Sequence, residues 1–277
     1  MPTLYVVATP IGNLEDVSAR ALRVLAEVAL IASEDTRTTR KLLTHFGIRT
    51  RLLSFQEHNA AARIPQLLRT LAEHDVALVT EAGTPGVSDP GASLVAAAAA
   101  QGASVVPVPG PSAVTAAVSG SGFSGDRFRF IGWPPRRAAD RRRLFESLAA
   151  EPDTLVALES PRRVLATLAA MRAAWGDRRV AVCRELTKLH EEVFHGTLQD
   201  ALDHFTEPRG EFTIVVEGSP PNPPPPTEDA AEEARRQLTR LRAEGHSARD
   251  AVAEVVLGSG LPRRVVYAMW LELAGEV

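Results

Sequence analysis

Cysteine is nearly absent from this sequence, which has only Cys183 in 277 residues. An intrachain disulfide is therefore excluded, and a reducing compartment suits the chain best. Cys183 follows the apolar residues 180–182, a context typical of a small core side chain. Acidic Glu15 and Asp16 follow the short apolar start, unlike a secretory signal, and the longest apolar run, residues 94–100, is too short to span a bilayer. We expect a cytoplasmic protein without membrane contact.

The sequence also lacks an excess of positive charge. The sequence carries 31 lysine and arginine residues against 34 aspartate and glutamate residues, a formal net charge of −3. This balance excludes nucleic-acid binding through bulk positive charge, so any contact with RNA must come from local clusters. The sequence has four basic clusters, at residues 136–137, 141–143, 162–163 and 178–179. Each of them is also typical of a solvated helix face.

Several familiar site motifs are missing. The sequence has no phosphate-binding loop ending in Gly-Lys-Ser/Thr, no His-Glu-x-x-His zinc motif and no Cys-x-x-Cys pair. A Gly-x-Gly-x-x-Gly pattern occurs at residues 120–125, but it follows a helical segment, 112–118, instead of a strand. A dinucleotide fingerprint needs a strand before it and a helix after it. We therefore interpret these glycines as an interdomain hinge and expect no metal site.

What the sequence does contain is an alternation of apolar and amphipathic segments. Hydrophobic residues make up 45% of the chain, enough for a packed core. Continuous apolar strands separated by helices predict a parallel sheet covered on both faces. We predict such an α/β lobe at residues 1–122, with strands at 4–8, 30–32, 51–55, 76–79 and 104–108 and helices at 18–28, 38–46, 61–73 and 92–101.

The remaining chain predicts a second α/β lobe and a helical appendage. Residues 123–218 form the second lobe, with a mixed sheet, and the proline-rich residues 219–227 form a semi-rigid linker. A helical C-terminal region follows at 228–277. Its residues 247–273 resemble a helix-turn-helix, with 258–260 as the turn. Val266 and Trp270 indicate packing on at least one face, so contact with RNA and packing on the protein both stay open.

Three loops rich in glycine and proline directly follow strands of the first lobe. We refer to residues 8–13 as the first loop, 80–91 as the second and 108–113 as the third. The carboxyl ends of parallel strands share one edge of a sheet, where doubly wound proteins bind ligands. Glycines let a ligand approach the backbone, and prolines fix a loop before binding. We predict that the three loops form one polar wall, although each alone is typical of an ordinary turn.

Together with segments farther along the chain, these loops resemble the tetrapyrrole methylase superfamily. The resemblance rests on the order and spacing of segments 34–37, 54–59, 81–91, 108–113, 158–163, 184–188 and 210–218. It implies a two-lobed fold, a homodimer and S-adenosylmethionine held in the cleft between the lobes, without a metal. By motif, it assigns donor binding to Pro10, Ala82, Gly83, Thr84, Val87, Ser112, Ala113, Glu159 and Gly196.

One departure from the porphyrin-precursor methylases bears on the substrate. Those enzymes carry an aspartate before a proline where this chain has Thr84, whose hydroxyl donates as well as accepts. The difference argues against a tetrapyrrole substrate. It points to the ribosomal branch of the family, which implies methylation of the 2′-hydroxyl of a decoding-centre cytidine of 16S rRNA in the small ribosomal subunit.

A ribose hydroxyl is a weak nucleophile, so a base that accepts its proton is expected. The candidate bases are Glu34, Asp35, His58, Lys188 and Glu191. We predict catalytic roles for Asp35, for Arg37 as a phosphate contact, and for Lys188 if burial lowers its pKa.

Other interpretations stay open. A carboxylate at the position of Asp35 is equally typical of a helix cap. The chain as a whole is also compatible with methylation of a tetrapyrrole precursor, or with a ligand-sensing regulator whose tail binds DNA.

Overall fold

The computed structural model describes residues 2–220, 228–259, 261 and 263–274. No helix in this part of the chain has both the length and the apolar character that crossing a membrane requires. The chain divides into two compact units, one up to Gly218 and one from Ser219 onward. Most of the linker predicted at 219–227 lies outside the described residues, as do Gly260 and Pro262.

A parallel sheet forms the first part of the larger unit. Its strands run in the order β3-β2-β4-β1-β5, and every neighbouring pair is parallel. They are β1 (Thr3–Val7), β2 (Leu30–Ser33), β3 (Leu52–Ser54), β4 (Val76–Val79) and β5 (Ser104–Val108). The two strands β2 and β4 are buried along their whole length. A strand covered on both faces reads as a continuous apolar run, which is why the sequence predicts this sheet correctly.

Helices connect these strands, and their ends follow local capping chemistry. They are α1 (Ala19–Glu27), α2 (Thr36–His45), α3 (Ala60–Leu71) and α4 (Ala92–Ala100), with 3₁₀ turns at Leu14–Asp16 and Glu57–Asn59. Ser18 caps α1 by accepting a hydrogen bond from the Ala21 N–H at 3.0 Å. Helix α2 begins two residues before its predicted start, because Asp35 accepts the Arg37 N–H at 2.7 Å.

A mixed sheet follows in the same unit, as predicted. Its strands run in the order β6-β7-β10-β8-β9; β6 and β7 are parallel, and the other pairs are antiparallel. They are β6 (Phe128–Gly132), β7 (Thr154–Glu159), β8 (Arg179–Arg184), β9 (Glu192–Thr197) and β10 (Phe212–Val216). The helices are α5 (Ala113–Ser121), α6 (Ala138–Ser147), α7 (Val164–Trp175) and α8 (Leu198–His204). Helix α7 was not predicted from the sequence, because it has little contrast between apolar and polar faces.

Helix α5 joins the two sheets. It begins in the third loop, and its residues Val114 and Ala117 pack against Val156, Cys183 and Val215 of the second sheet. Cys183 is buried, as predicted. The glycine pattern at 120–125 overlaps the end of this helix, where Gly122 has a φ of +73°. The boundary between residues 122 and 123 stays a prediction, since both sheets belong to one compact unit.

The C-terminal unit is helical, as predicted. It contains α9 (Glu228–Ala243), α10 (Ala248–Ser259) and α11 (Arg263–Ala274). Val266 is fully buried and Trp270 nearly so, in a core shared by the three helices. Packing of these two residues is therefore confirmed. Gly258 and Ser259 belong to α10, so the helix continues into the first two residues of the predicted turn.

Candidate active site

The three loops meet at the carboxyl edge of the parallel sheet. Thr9 and Gly83 exchange two backbone hydrogen bonds, of 2.9 and 3.0 Å, which join the first loop to the second. The Thr84 Oγ1 hydroxyl donates to the Pro111 carbonyl oxygen at 3.1 Å, which joins the second loop to the third. The Ala8 N–H donates to the Val108 carbonyl oxygen at 3.2 Å, which joins the first loop to the third. The loops thus form one continuous wall, as the sequence predicts.

Glycine is required in this wall at points of close approach. Gly83 is buried and has a φ of +80°, a conformation that disfavours other residues. A Cβ on Gly110 would lie 3.1 Å from the Cβ of Ala8, so the first and third loops touch there. Ser112 and Ala113 open α5, whose first N–H groups have no partner within the helix.

The turn after β8 packs against the first loop from the second sheet. The Asn13 N–H donates to Thr187 Oγ1 at 3.0 Å. A Cβ on Gly12 would lie 2.8 Å from the same Oγ1 and 3.1 Å from the Leu186 carbonyl oxygen. Thr187 itself has a φ of +66°, a strained value for a β-branched residue. Sequence reasoning singled out Lys188 in this turn and missed Leu186 and Thr187.

The end of β6 meets the second loop in a similar way. Gly132 has a φ of +65°, and a Cβ there would lie 3.5 Å from Ser88 Oγ. The carboxyl ends of β6 and β8 therefore both face loops of the first sheet. These contacts define the candidate active site as the space bordered by the three loops, the turn after β8 and the end of β6.

Asp35 and Arg37 lie together at the start of α2. The Asp35 carboxylate accepts the Arg37 backbone N–H and also two guanidinium hydrogen bonds, at 2.9 and 3.3 Å. The guanidinium hydrogen bond is the main reason why the pKa of Asp35 is lowered to about 2. A carboxylate with so low a pKa is a weak proton acceptor. The helix-capping interpretation of Asp35 is the one that its contacts support.

Lys188 does not meet the condition that a base role requires. Partial burial lowers its pKa, but hydrogen bonds to Glu185 at 2.8 Å and Glu211 at 3.0 Å outweigh that effect. The net pKa of Lys188 is raised, because both neighbours favour the charged ammonium. The expectation of a lowered pKa is therefore wrong, and the side chain instead ties the turn after β8 to the start of β10.

Asp89 is the ionisable group that sequence reasoning missed. It lies in the second loop and is half-buried. Burial raises its pKa to about 6, and the negative charges of Glu34 and Glu81 add to the rise, while a hydrogen bond with Thr80 opposes it. Glu34 lies nearby because its Oε2 accepts the Glu81 N–H at 3.2 Å. No local sequence pattern links Asp89 to Glu34, so this signal exists only in the folded chain.

Two residues assigned to donor binding by resemblance belong to strands of the second sheet and not to the three loops. The Glu159 carboxylate is fully buried and accepts hydrogen bonds from the Ser160 N–H at 2.8 Å and the Thr167 hydroxyl at 2.7 Å, beside Arg163 at 3.0 Å. Its oxygens are thus engaged within the second sheet's own core. Gly196 lies in β9 opposite Val180, at the far end of that sheet from the turn after β8. The structure does not bring Gly196 to the candidate active site.

The other assigned residues are brought together. Pro10 lies in the first loop; Ala82, Gly83, Thr84 and Val87 lie in the second; Ser112 and Ala113 lie in the third. Across the described ranges, no three side chains of histidine, cysteine, aspartate or glutamate gather as metal ligands would.

Comparison with known proteins identifies this architecture. The family model described as Tetrapyrrole (Corrin/Porphyrin) Methylases matches residues 3–202. This chain belongs to the tetrapyrrole methylase family. The resemblance stated from its motifs is thereby confirmed. A second model, described as the RsmI C-terminal HTH domain, matches residues 228–274 of this tetrapyrrole methylase.

Curated relatives match over most or all of the chain. A Synechocystis protein is 44% identical over 280 residues, with all of both chains covered. A Thermotoga maritima protein is 48% identical over 221 residues, which are 79% of this chain and 99% of the relative. A Bacillus subtilis protein is 38% identical and covers 96% of this chain and 93% of its own. All three bear the name ribosomal RNA small subunit methyltransferase I.

Solved structures of the same fold are more distant in sequence. A diphthine synthase superposes with a TM-score of 0.60 at 14% identity, covering 78% of this chain and 90% of that one. A uroporphyrin-III-C-methyltransferase from Thermus thermophilus gives 0.55 at 20% identity, covering 79% and 95%. These similarities establish the fold of the tetrapyrrole methylase and nothing about its substrate.

Proposed function

We propose that this tetrapyrrole methylase transfers a methyl group from S-adenosylmethionine to the 2′-hydroxyl of a cytidine in 16S rRNA of the small ribosomal subunit. The names of its full-length relatives support the ribosomal substrate. We include in the proposal a homodimer, which the family resemblance implies, and the cytoplasmic location expected from the sequence. The structural observation that carries the proposal is the continuous wall made by the three loops, with Asp89 among them.

The residues at this wall suit a positively charged donor. Three carboxylates, Glu34, Glu81 and Asp89, lie close enough that their mutual repulsion contributes to the raised pKa of Asp89. A cation placed beside them relieves that repulsion. S-adenosylmethionine supplies a sulfonium whose methyl group is already activated for transfer. The residues proposed to hold it are Pro10, Ala82, Gly83, Thr84, Val87, Ser112 and Ala113.

Asp89 is the proton acceptor in this proposal. Its pKa of about 6 leaves it mostly ionised at neutral pH yet basic enough to accept a proton as the hydroxyl reacts. Asp35 acts as the cap of α2 and orients Arg37. The Arg37 side chain is 88% exposed and therefore available to contact a phosphate of the RNA. Lys188 stays protonated and ties the turn after β8 to the start of β10.

The two other interpretations of the sequence make different predictions. Methylation of a tetrapyrrole precursor would place label in a porphyrin or corrin and none in RNA. A regulator that binds DNA through the C-terminal unit, the part that matches an HTH domain model, would transfer no methyl group. Neither alternative has support from the full-length relatives.

The test uses labelled S-adenosylmethionine and small ribosomal subunits from a strain that lacks the corresponding methyltransferase. We expect label on a cytidine ribose of 16S rRNA. We expect Asp89→Asn to lower kcat by about 10²- to 10⁴-fold with little change in the Kd of the donor. Asp35→Ser, which keeps a capping oxygen but no longer orients Arg37, serves as the control and is expected to retain kcat and the Kd of the donor. Transfer to a base or to a tetrapyrrole would contradict the proposal, and a large loss of donor affinity in Asp89→Asn would reassign that residue to binding.

A further inference from the structure

The loop between β6 and α6, residues 133–137, carries an aromatic side chain at the rim of the candidate active site. Trp133 is 51% exposed, unlike Trp175 and Trp270, which are buried. It directly follows Gly132, where a Cβ would lie 3.5 Å from Ser88 Oγ of the second loop. An exposed tryptophan beside a catalytic rim leaves a large apolar face in water that a ligand can cover.

Two mostly buried arginines hold the backbone carbonyl groups of this loop in place. Arg163 donates to the Pro134 carbonyl oxygen through a short hydrogen bond and to the Pro135 carbonyl at 3.5 Å. Arg141, which is only 9% exposed, donates to the Pro135 and Arg136 carbonyl oxygens, both at 3.4 Å. Successive carbonyl groups are therefore fixed in place. A surface fixed before binding loses little conformational entropy when a ligand arrives.

A second loop adds charge at the same place. Strands β6 and β7 are parallel, so the loops that follow them leave the same end of the sheet. The bond from Arg163 to Pro134 joins these two loops. Arg162 precedes Arg163 and is exposed, as is Arg136 in the neighbouring loop. Trp133, Arg136 and Arg162 together are named the Trp133 platform.

The two arginines of the Trp133 platform retain uncompensated charge. On the adjacent helix α6, Asp140 pairs with both Arg137 and Arg143. Among the ion pairs of the described residues, Arg136 and Arg162 have no partner. The basic clusters singled out from the sequence thus separate into internal braces, arginines in ion pairs and these two free guanidinium groups. Free guanidinium groups beside an exposed indole form a surface suited to a nucleotide.

We propose that the Trp133 platform binds an unpaired nucleotide next to the methylated position, with its base stacked on the indole and its flanking phosphates contacted by Arg136 and Arg162. This inference rests on the proposed function, since it specifies how the same site recognises RNA. Stacking on an aromatic side chain tolerates any base, while phosphate contacts fix the register of the strand. An acidic protein surface would satisfy the arginines but would not require a flat aromatic face.

The first measurement is the fluorescence of the full chain titrated with oligocytidylate, with S-adenosylhomocysteine present. We expect the oligonucleotide to quench tryptophan fluorescence in the native protein. In Trp133→Phe this quenching is expected to be lost, while binding of a labelled oligonucleotide is retained. Trp133→Ala is expected to weaken binding about 5- to 150-fold. Binding of the oligonucleotide weakens as salt concentration rises, with a slope set by the number of phosphate contacts. Arg136→Gln and Arg162→Gln are each expected to reduce that slope by about one phosphate contact. Arg172→Gln, an exposed arginine in the last turn of α7, is the matched charge control and changes neither quantity.

The second measurement is methyl transfer to small ribosomal subunits. Trp133→Ala is expected to raise the KM for subunits with kcat and donor affinity unchanged. An unchanged KM and undiminished oligonucleotide binding would overturn the inference while leaving the proposed function intact. Weaker binding to subunits but not to protein-free RNA would assign the platform to a ribosomal protein and overturn it as well. If the native chain itself transferred no methyl group to rRNA, the proposed function would fail first, and fluorescence quenching would still report on the platform.

Discussion

The hydroxyl of Thr84 donates a hydrogen bond to the Pro111 carbonyl oxygen at 3.1 Å. This contact joins the second and third loops. An ionised aspartate at the same position accepts hydrogen bonds and cannot donate one to a carbonyl. Thr84, where the motif departs from that of the porphyrin-precursor methylases, therefore braces the loop wall from within.

Thr84→Val tests this brace. Valine keeps the branched shape but leaves the partly buried Pro111 carbonyl without this donor, which costs about 0.5–1.5 kcal/mol. We expect a lower free energy of unfolding and a weaker affinity for S-adenosylmethionine, measured by urea denaturation and calorimetry. Thr84→Ser retains the hydroxyl and is expected to behave nearly as the native protein. Equal effects of the two substitutions would assign the contribution of Thr84 to its methyl group.

Gly12→Ala tests the contact between the first loop and the turn after β8. The added Cβ would clash with Lys188 Cγ and with Thr187 Oγ1, and the Leu186 carbonyl oxygen at 3.1 Å leaves little room for the turn to move aside. We expect a loss of about 1–3 kcal/mol in stability and a weaker donor affinity. Gly120→Ala is the control, because a Cβ there has nothing within 4 Å and the residue lies in a helix. That substitution is expected to be neutral or to stabilise the chain slightly.

How much of the site the sequence predicts depends on whether its signal is local. The strand ends and the glycines of the three loops are local features, so the wall could be predicted. Asp35 was a candidate base and a candidate cap, and only its contacts with Arg37 separate the two. The pKa of Asp89 depends on burial and on Glu34, which lies on a different strand's loop. Such through-space coupling leaves no pattern in the chain.

Asp89 also makes stability depend on pH. Its pKa rises from 3.8 in the unfolded chain to about 6 in the folded one. Between these values the folded state holds a proton that the unfolded state has released, so stability falls as pH rises through this range and is lowest above it. Asp89→Asn removes that penalty and is expected to stabilise the protein at pH 7.5 by about 1 kcal/mol, after allowing for solvent screening. Chemical denaturation at both ends of the range measures this.

The expected pH dependence has a clear signature. The difference between Asp89→Asn and the native protein should be present at pH 7.5 and nearly absent at pH 4, where the aspartic acid is neutral in the folded state. A constant difference at all pH values would point to a change in packing. A destabilised variant at pH 7.5 would mean that the carboxylate is favourably solvated or paired, contrary to its position beside Glu34 and Glu81.

The motif resemblance assigned Glu159 and Gly196 to the donor site, and the two residues occupy different positions in the fold. Both follow recognisable segments, but a motif fixes neither the direction of a side chain nor the end of a strand on which a residue lies. Gly196 is displaced because β9 runs antiparallel to β8. Glu159 lies at the correct end of β7, yet its carboxylate turns inward to Arg163 and Thr167. Sheet direction and side-chain orientation are properties of the tertiary structure.

Glu159→Gln tests the inward role of that carboxylate. The charge of Arg163, whose side chain is 24% exposed, loses its only buried counterion at 3.0 Å among the described residues. Removing one partner of a buried pair costs about 3–5 kcal/mol, and we expect the lower end because glutamine still accepts one hydrogen bond. Glu27→Gln is the matched control, since its pair with Arg23 is 60% exposed on both sides and contributes less than about 1 kcal/mol.

The same substitution should loosen the loop that Arg163 braces. Without Glu159, the guanidinium is no longer held under the Pro134 carbonyl, so amide hydrogen exchange in residues 133–137 is expected to accelerate. The first, second and third loops should exchange as in the native protein. If calorimetry instead found that Glu159→Gln abolishes donor binding while stability and exchange are unchanged, the carboxylate would belong to the donor site after all, and its contacts with Arg163 and Thr167 would have to open when the donor binds.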